Sequence, residues 1–137
     1  MEIERFEELV ARALSELPEE FREKLENIDV VVSEYPTSRQ LAKSRIRRGW
    51  TLLGLYEGVP RTHRTTGYNL VLPDRITLFQ GPIEAKCHSE DEIAQEIGRV
   101  VRHEIAHYFG IDDESLRRIE GRGLRRPRFR RKPEASV

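Results

Sequence analysis

The chain has 137 residues, 37% apolar and 35% charged, with a formal net charge of zero. That is enough chain for one domain around a modest core. Cys87 is the only cysteine, so an intramolecular disulfide is excluded, and no apolar run approaches the roughly 18 residues of a membrane-spanning helix. The expectation is a soluble cytoplasmic protein: the N-terminal MEIERFEELV has no basic segment followed by an apolar one, and so does not read as a signal peptide.

The zero balance hides an asymmetry. Residues 1–29 carry ten acidic side chains against four basic ones, whereas residues 117–134 carry nine basic side chains against Glu120 and Glu134. At the acidic end, Ile3, Phe6, Leu9, Val10, Ala13, Leu14 and Leu17 recur at helical spacing. Pro18 stops that helix and opens a second short one with Phe21 and Leu25 facing inward. Ile28-Asp29-Val30-Val31-Val32 is a β-branched run that predicts a buried strand ending near Tyr35-Pro36. Residues 36–48 are polar and basic and read as a loop or a short surface helix.

A second strand is expected from Trp50 to Tyr56, closed by Gly58 and Pro60. Arg61–Tyr68 reads as a flexible connection, followed by a short strand at Asn69–Leu72 and a clearer one at Arg75–Phe79 that ends at Gly81-Pro82. Ser89 then caps the strongest element of the chain, with Glu92 completing a capping box. Its apolar stripe is Ile93, Ala94, Ile97, Val100, Val101, Ile105 and Tyr108, and Gly110 is the stop. A short helix over Asp113–Ile119 follows. Beyond Gly121 the sequence has little to bury and reads as a disordered basic tail. The order is α-α-β-β-β-α-α. This predicts an α+β domain over residues 1–120, in which a small three- to four-stranded sheet packs on the helix at 90–109, with a tail over 121–137.

Within that helix the chain reads His103-Glu104-Ile105-Ala106-His107. Residues four apart share a helical face, so both imidazoles can reach one metal ion. Glu104 then lies beside the metal, where it can take a proton from a metal-activated water. This is the H-E-x-x-H arrangement of zinc peptidases. A catalytic zinc takes three protein ligands. Gly110 lets the chain turn back at the helix end, which brings Asp113 round as a carboxylate ligand; Asp112, Glu114 or water are the other candidates. Asp112 and Asp113 also suit the N-cap of the following helix.

The stretch from His103 to Asp113 resembles the extended H-E-x-x-H-x-x-G-x-x-H/D signature of the metzincins, with Asp last as in the snapalysin type. More closely, the chain is similar to small bacterial zincin-like metallopeptidases, also at Leu53-Gly54-Leu55-Tyr56-Glu57-Gly58, Leu78-Phe79 and Asp112-Asp113-Glu114. The likeness spans roughly residues 5–120, and only the metal motif is highly specific. It implies a minimal zincin fold, one Zn2+ and peptide-bond hydrolysis on a peptide or protein substrate. One departure is that metzincins carry a methionine turn after the third ligand, whereas the only methionine here is Met1. That, with the short C-terminal part, puts a deep primed-side specificity pocket in question.

The function expected is a zinc-dependent metallopeptidase with His103, His107 and Asp113 as ligands and Glu104 as general base. A substrate strand would add to an exposed sheet edge, for which Arg75–Phe79 is the choice here. The competing reading keeps zinc in a non-catalytic binding or regulatory module; an intact Glu104 argues against it, since a structural site needs no base. A further alternative is nucleic-acid contact through the tail Arg117–Lys132, against the plainer reading of a solvated tail. Tyr108 reads as a packing residue before an oxyanion donor. His63, His88 and Cys87 read as surface or idle groups, and Trp50, Tyr56 and Phe79 as core or strand residues.

Overall fold

In the computed structural model, residues 1–44, 51–58 and 72–123 are described. The first helix, α1 (Ile3–Ser15), buries Phe6, Leu9, Val10 and Ala13, the inner face of the expected stripe, while Ile3 at its start stays exposed. It ends at Ser15, ahead of Pro18, which is the N-cap of α2 (Glu19–Lys24), a helix that buries Phe21. A 3-10 turn over Leu25–Asn27 feeds directly into strand β1 (Ile28–Ser33). The helix α3 (Ser38–Lys43) follows, so of the two readings for this polar stretch the short surface helix is the one adopted. Its start is a full capping box: Thr37 Oγ1 accepts from Gln40 N at 3.1 Å and Gln40 Oε1 from Thr37 N at 2.9 Å.

Strand β2 (Gly54–Glu57) is shorter than expected, preceded by buried Leu52 and Leu53, and β3 is Asp74–Phe79. The sheet order is β1-β3-β2, with β1 parallel to β3 from Ile28↔Asp74 to Ser33↔Phe79 and β2 antiparallel to it from Gly54↔Leu78 to Glu57↔Arg75. The Arg75–Phe79 segment is therefore the central strand, not an edge. Ile76, Thr77, Leu78 and Phe79 are all buried, the continuous run of an interior strand rather than an alternating one. The charged Asp74 and Arg75 at its start mimic an edge.

The chain does not end in a loop at Gly81-Pro82 but continues as helix α4 (Gln80–Lys86). Both residues stand in the first turn, where the donor that Pro82 lacks is not needed and Gly81 N donates to Glu34 O at 2.9 Å, so these apparent breakers open a helix. The long helix α5 (Glu90–Phe109) is capped by Ser89 Oγ, which accepts from Glu92 N at 3.1 Å. The capping box there is only half formed, because Glu92 Oε1 accepts from His88 N at 3.0 Å, one residue before the cap. At the other end Gly110 has φ 71°, Ile111 N donates to Ala106 O at 2.8 Å and Gly110 N to His107 O at 3.4 Å. That pair of bonds is a Schellman ending, and only glycine takes the left-handed backbone cheaply. Helix α6 (Asp113–Gly123) runs four residues further than expected.

One core joins α1, the sheet, α4 and α5 through Phe6, Leu9, Ile76, Leu78, Ile83, Ile97, Val100, Val101 and Ile105. This is an α+β domain with a three-stranded mixed sheet packed against helices. No helix among the described residues is long and apolar enough to cross a membrane. Trp50, His63, the connection at 61–68, residues 69–71 and the tail beyond Gly123 lie outside the described residues.

Helix α5 approaches β2 closely at Gly54. A Cβ there would come within 2.5 Å of Val100 Cγ1 and 3.3 Å of the Thr77 carbonyl oxygen. Gly54→Ala is expected to cost roughly 1–3 kcal/mol by overpacking, read as a lower denaturant midpoint; an unchanged midpoint would contradict this packing.

The opposite flank of α5 carries buried charge. Glu96, 4% exposed, pairs with Arg99 and accepts from Lys86 Nζ at 2.8 Å. Burial alone would raise the Glu96 pKa, but Arg99 and then Lys86 outweigh it and hold the carboxyl at about 2, against an ordinary 4.5. A carboxylate with a depressed folded-state pKa stabilises fully above its ordinary value and loses that contribution as pH falls towards the folded one. Up to about 3 kcal/mol of stability should thus disappear between pH 4.5 and 2. Glu96→Gln should flatten that part of the stability–pH curve; a slope unchanged by the substitution would show that other groups cause it.

Candidate metal centre

The helical period brings His103 and His107 to one face of α5, with ring centroids 6.1 Å apart and planes at 80°. His103 is half-buried with its Nδ1 shielded from solvent, and His107 is exposed at the last turn. One ring is thus fixed by the fold and the other faces outward. Two imidazoles on one helical face supply the nitrogen donors that a zinc-type site uses. In donor chemistry and spacing the pair fits a zinc-type ion.

Glu104, next to His103 in the helix, is buried between α5 and β2. It is 7% exposed, and its Oε1 accepts from Tyr56 N at 2.8 Å. The strand geometry explains the contact. Leu53 O accepts from Phe79 N, so Leu53, Leu55 and Glu57 direct their backbone groups towards β3, and Gly54 and Tyr56 direct theirs to the other edge of β2. The outward Tyr56 N–H is therefore met by the Glu104 carboxylate across from α5. Burial pushes the Glu104 pKa up, only partly opposed by the Tyr56 N–H, to about 7. A carboxyl in that range both takes and gives a proton near neutral pH.

Asp112 is engaged elsewhere. Its Oδ1 accepts from Ser115 N at 2.7 Å and caps α6, and that bond holds its carboxyl below the usual range. Asp113 is the first residue of α6, just past the Gly110 turn, and its side chain lies outside what the structure describes. Glu114 is exposed. Among the described residues no group of three His, Cys, Asp or Glu side chains is set to hold an ion. Among the described residues the candidate site is therefore His103 and His107 on one face of α5, with Glu104 next to His103 in the chain and its carboxylate held at Tyr56 N.

Sequence reasoning missed two features. The Tyr56–Glu104 bond involves a backbone donor, which no residue type announces. Tyr108 was placed in the buried stripe, yet it is 52% exposed and stacks on Tyr56 with centroids 3.9 Å apart. Tyr56 in turn donates its hydroxyl to Asp74 Oδ2 at 2.7 Å. Phe79 is buried and His88 exposed, in keeping with their core and surface assignments. Cys87 is half-buried, and its thiol is pushed up to about 11 by burial and then by Glu96 and Glu92. It is neither a ready ligand nor a nucleophile. A cavity of about 940 Å³ lies on another side of α5, bordered by Arg12, Cys87, Arg99 and Arg102; none of His103, Glu104 and His107 lines it.

Comparison with known proteins places the chain in a family. The family described as zincin-like metallopeptidase matches residues 25–122, a span that holds β1 to β3 and the whole of α5. No curated protein matches the chain. Among solved structures, a conserved hypothetical protein from Thermo thermophilus is 24% identical, covers 81% of this chain and 100% of its own, and superposes with a TM-score of 0.47.

Proposed function

The chain belongs to the zincin-like metallopeptidase family, and from that premise we propose that it hydrolyses peptide bonds with one zinc ion held by His103, His107 and Asp113. The observation that carries the reading is the placement of Glu104. Its carboxylate is buried, tethered to the β2 edge through Tyr56 N, and adjacent in the helix to two imidazoles that share a face. A purely structural ion needs no such group beside it.

His103 and His107 would supply two neutral nitrogens, and the Gly110 turn with Asp112 as the cap of α6 leaves Asp113 to supply a carboxylate. An ion bound there would act as a Lewis acid and lower the pKa of a water. The proton work falls to Glu104: it accepts the proton of the attacking water and delivers it to the leaving amine. Tyr56 N–H holds the carboxylate in one orientation, so that the proton is taken and returned along one path. Within the described sheet β2 pairs with β3 alone, so we place the substrate along its other side, beyond the Tyr56 N–H that Glu104 holds.

The test is to incubate the zinc-loaded chain with a mixture of unstructured peptides and sequence the products. New amino termini that vanish with a chelator and return with zinc support the proposal. A zinc-loaded chain that cuts no peptide in the mixture contradicts it.

A further inference from the structure

Two large apolar rings stand half-exposed beside Glu104. Tyr108 is 52% and Phe109 47% exposed, although both directly follow His107 on a helix whose apolar side is otherwise buried. They are ordered against one another: Tyr108 lies flat on Tyr56 at 3.9 Å and 17°, and Phe109 meets Tyr108 edge-on at 5.3 Å and Tyr56 at 6.3 Å. Lys24 Nζ sits 5.2 Å from the Phe109 centroid and borders the group on the α2 side. At the far end Gly58 passes beneath the Tyr108 hydroxyl, where a Cβ would come within 2.6 Å of the oxygen. The three rings make a ledge along the end of β2.

The ledge and the candidate centre share a residue. Tyr56 gives its ring to the stack and its backbone N–H to Glu104 at 2.8 Å. A peptide that reaches Glu104 past Tyr56 would therefore have a neighbouring side chain over Tyr108 and Phe109. Stacked and edge-on aromatic faces favour another aromatic or a large flat apolar group over a small or charged one. Contiguous exposed apolar surface marks a recognition site, unlike rings scattered singly, and Tyr108 and Phe109 are in contact with one another.

Resting on the peptidase reading above, we infer that Tyr108 and Phe109 form a specificity subsite, and that the favoured substrate is an extended peptide with an aromatic side chain next to the cleaved bond. The rings select and position the peptide; they take no part in proton transfer.

The experiment uses the zinc-loaded Glu104→Gln chain, which should bind peptides without turning them over. Pairs of short peptides that differ only in carrying Phe or Ala, with the substitution walked along the peptide, are titrated by calorimetry. Phe should bind about tenfold tighter than Ala at one position. That ratio should persist when Tyr108→Phe is added and collapse towards one with Tyr108→Ala plus Phe109→Ala. Equal affinity for Phe and Ala at every position, or a preference that survives both alanines, would overturn the subsite. Cleavage by the wild-type chain separates the two claims. Binding with the aromatic preference but no cleavage would sink the peptidase reading and leave the ledge standing, whereas cleavage indifferent to Phe would sink the ledge alone.

Discussion

Replacing Glu104 with Gln is expected to abolish most peptide hydrolysis while leaving zinc bound. The substitution keeps the size of the side chain and an oxygen that can accept from Tyr56 N, so the 2.8 Å tether between α5 and β2 can persist. What is lost is the ability to take a proton. A positioned general base contributes about 10²–10⁴ in rate, so kcat should fall by that factor with little change in KM. Glu104→Ala should lose the same activity and, with the tether gone, some stability as well, because Tyr56 N–H then faces the space the carboxylate filled. Measured kcat of the zinc-loaded Gln variant within a few-fold of wild type would remove Glu104 from the role of base.

The second large effect concerns the ion and the fold together. A ligand that binds only the folded chain stabilises it by mass action, by about 4 kcal/mol when present at a thousand times its dissociation constant. Zinc should therefore raise the unfolding midpoint substantially, and a chelator should return it to the metal-free value. His107 is exposed on the last turn of α5, so His107→Ala removes little packing. The variant should unfold like the metal-free wild type and show no response to added zinc. A midpoint of the wild-type chain that zinc leaves unmoved, or an undiminished response in His107→Ala, would contradict the site.

Much of this arrangement is written in local pattern. The α5 stripe Ile93, Ala94, Ile97, Val100, Val101 and Ile105 repeats at helical spacing and is buried throughout, and that period places His103 and His107 on one face. Gly110 as stop and Ser89 as cap follow from backbone chemistry within one turn. Strand order is different in kind. β3 lies in the middle of the sheet because β1 joins it in parallel and β2 antiparallel, and those pairings join residues far apart in the chain that no local period encodes. Helix α4 was hidden because Gly81 and Pro82 are breakers inside a helix but acceptable in its first turn. Likewise the partner of Glu104 is a backbone N–H 48 residues away, which has no residue signature. The exposed Tyr108 shows the limit of periodicity itself. Its spacing continues the stripe past the end of the core, where the ring finds Tyr56 instead of the interior.

We propose that His103, His107 and Asp113 hold one zinc ion beside Glu104. Elemental analysis of untagged chain, purified with zinc supplied and then freed of loosely bound metal, tests it most directly. One zinc per chain is expected in the wild type and in Glu104→Gln, and near none in His107→Ala and Asp113→Ala. A wild-type chain without zinc after that treatment would contradict it, and zinc retained in full by Asp113→Ala would remove the carboxylate from the ligand set.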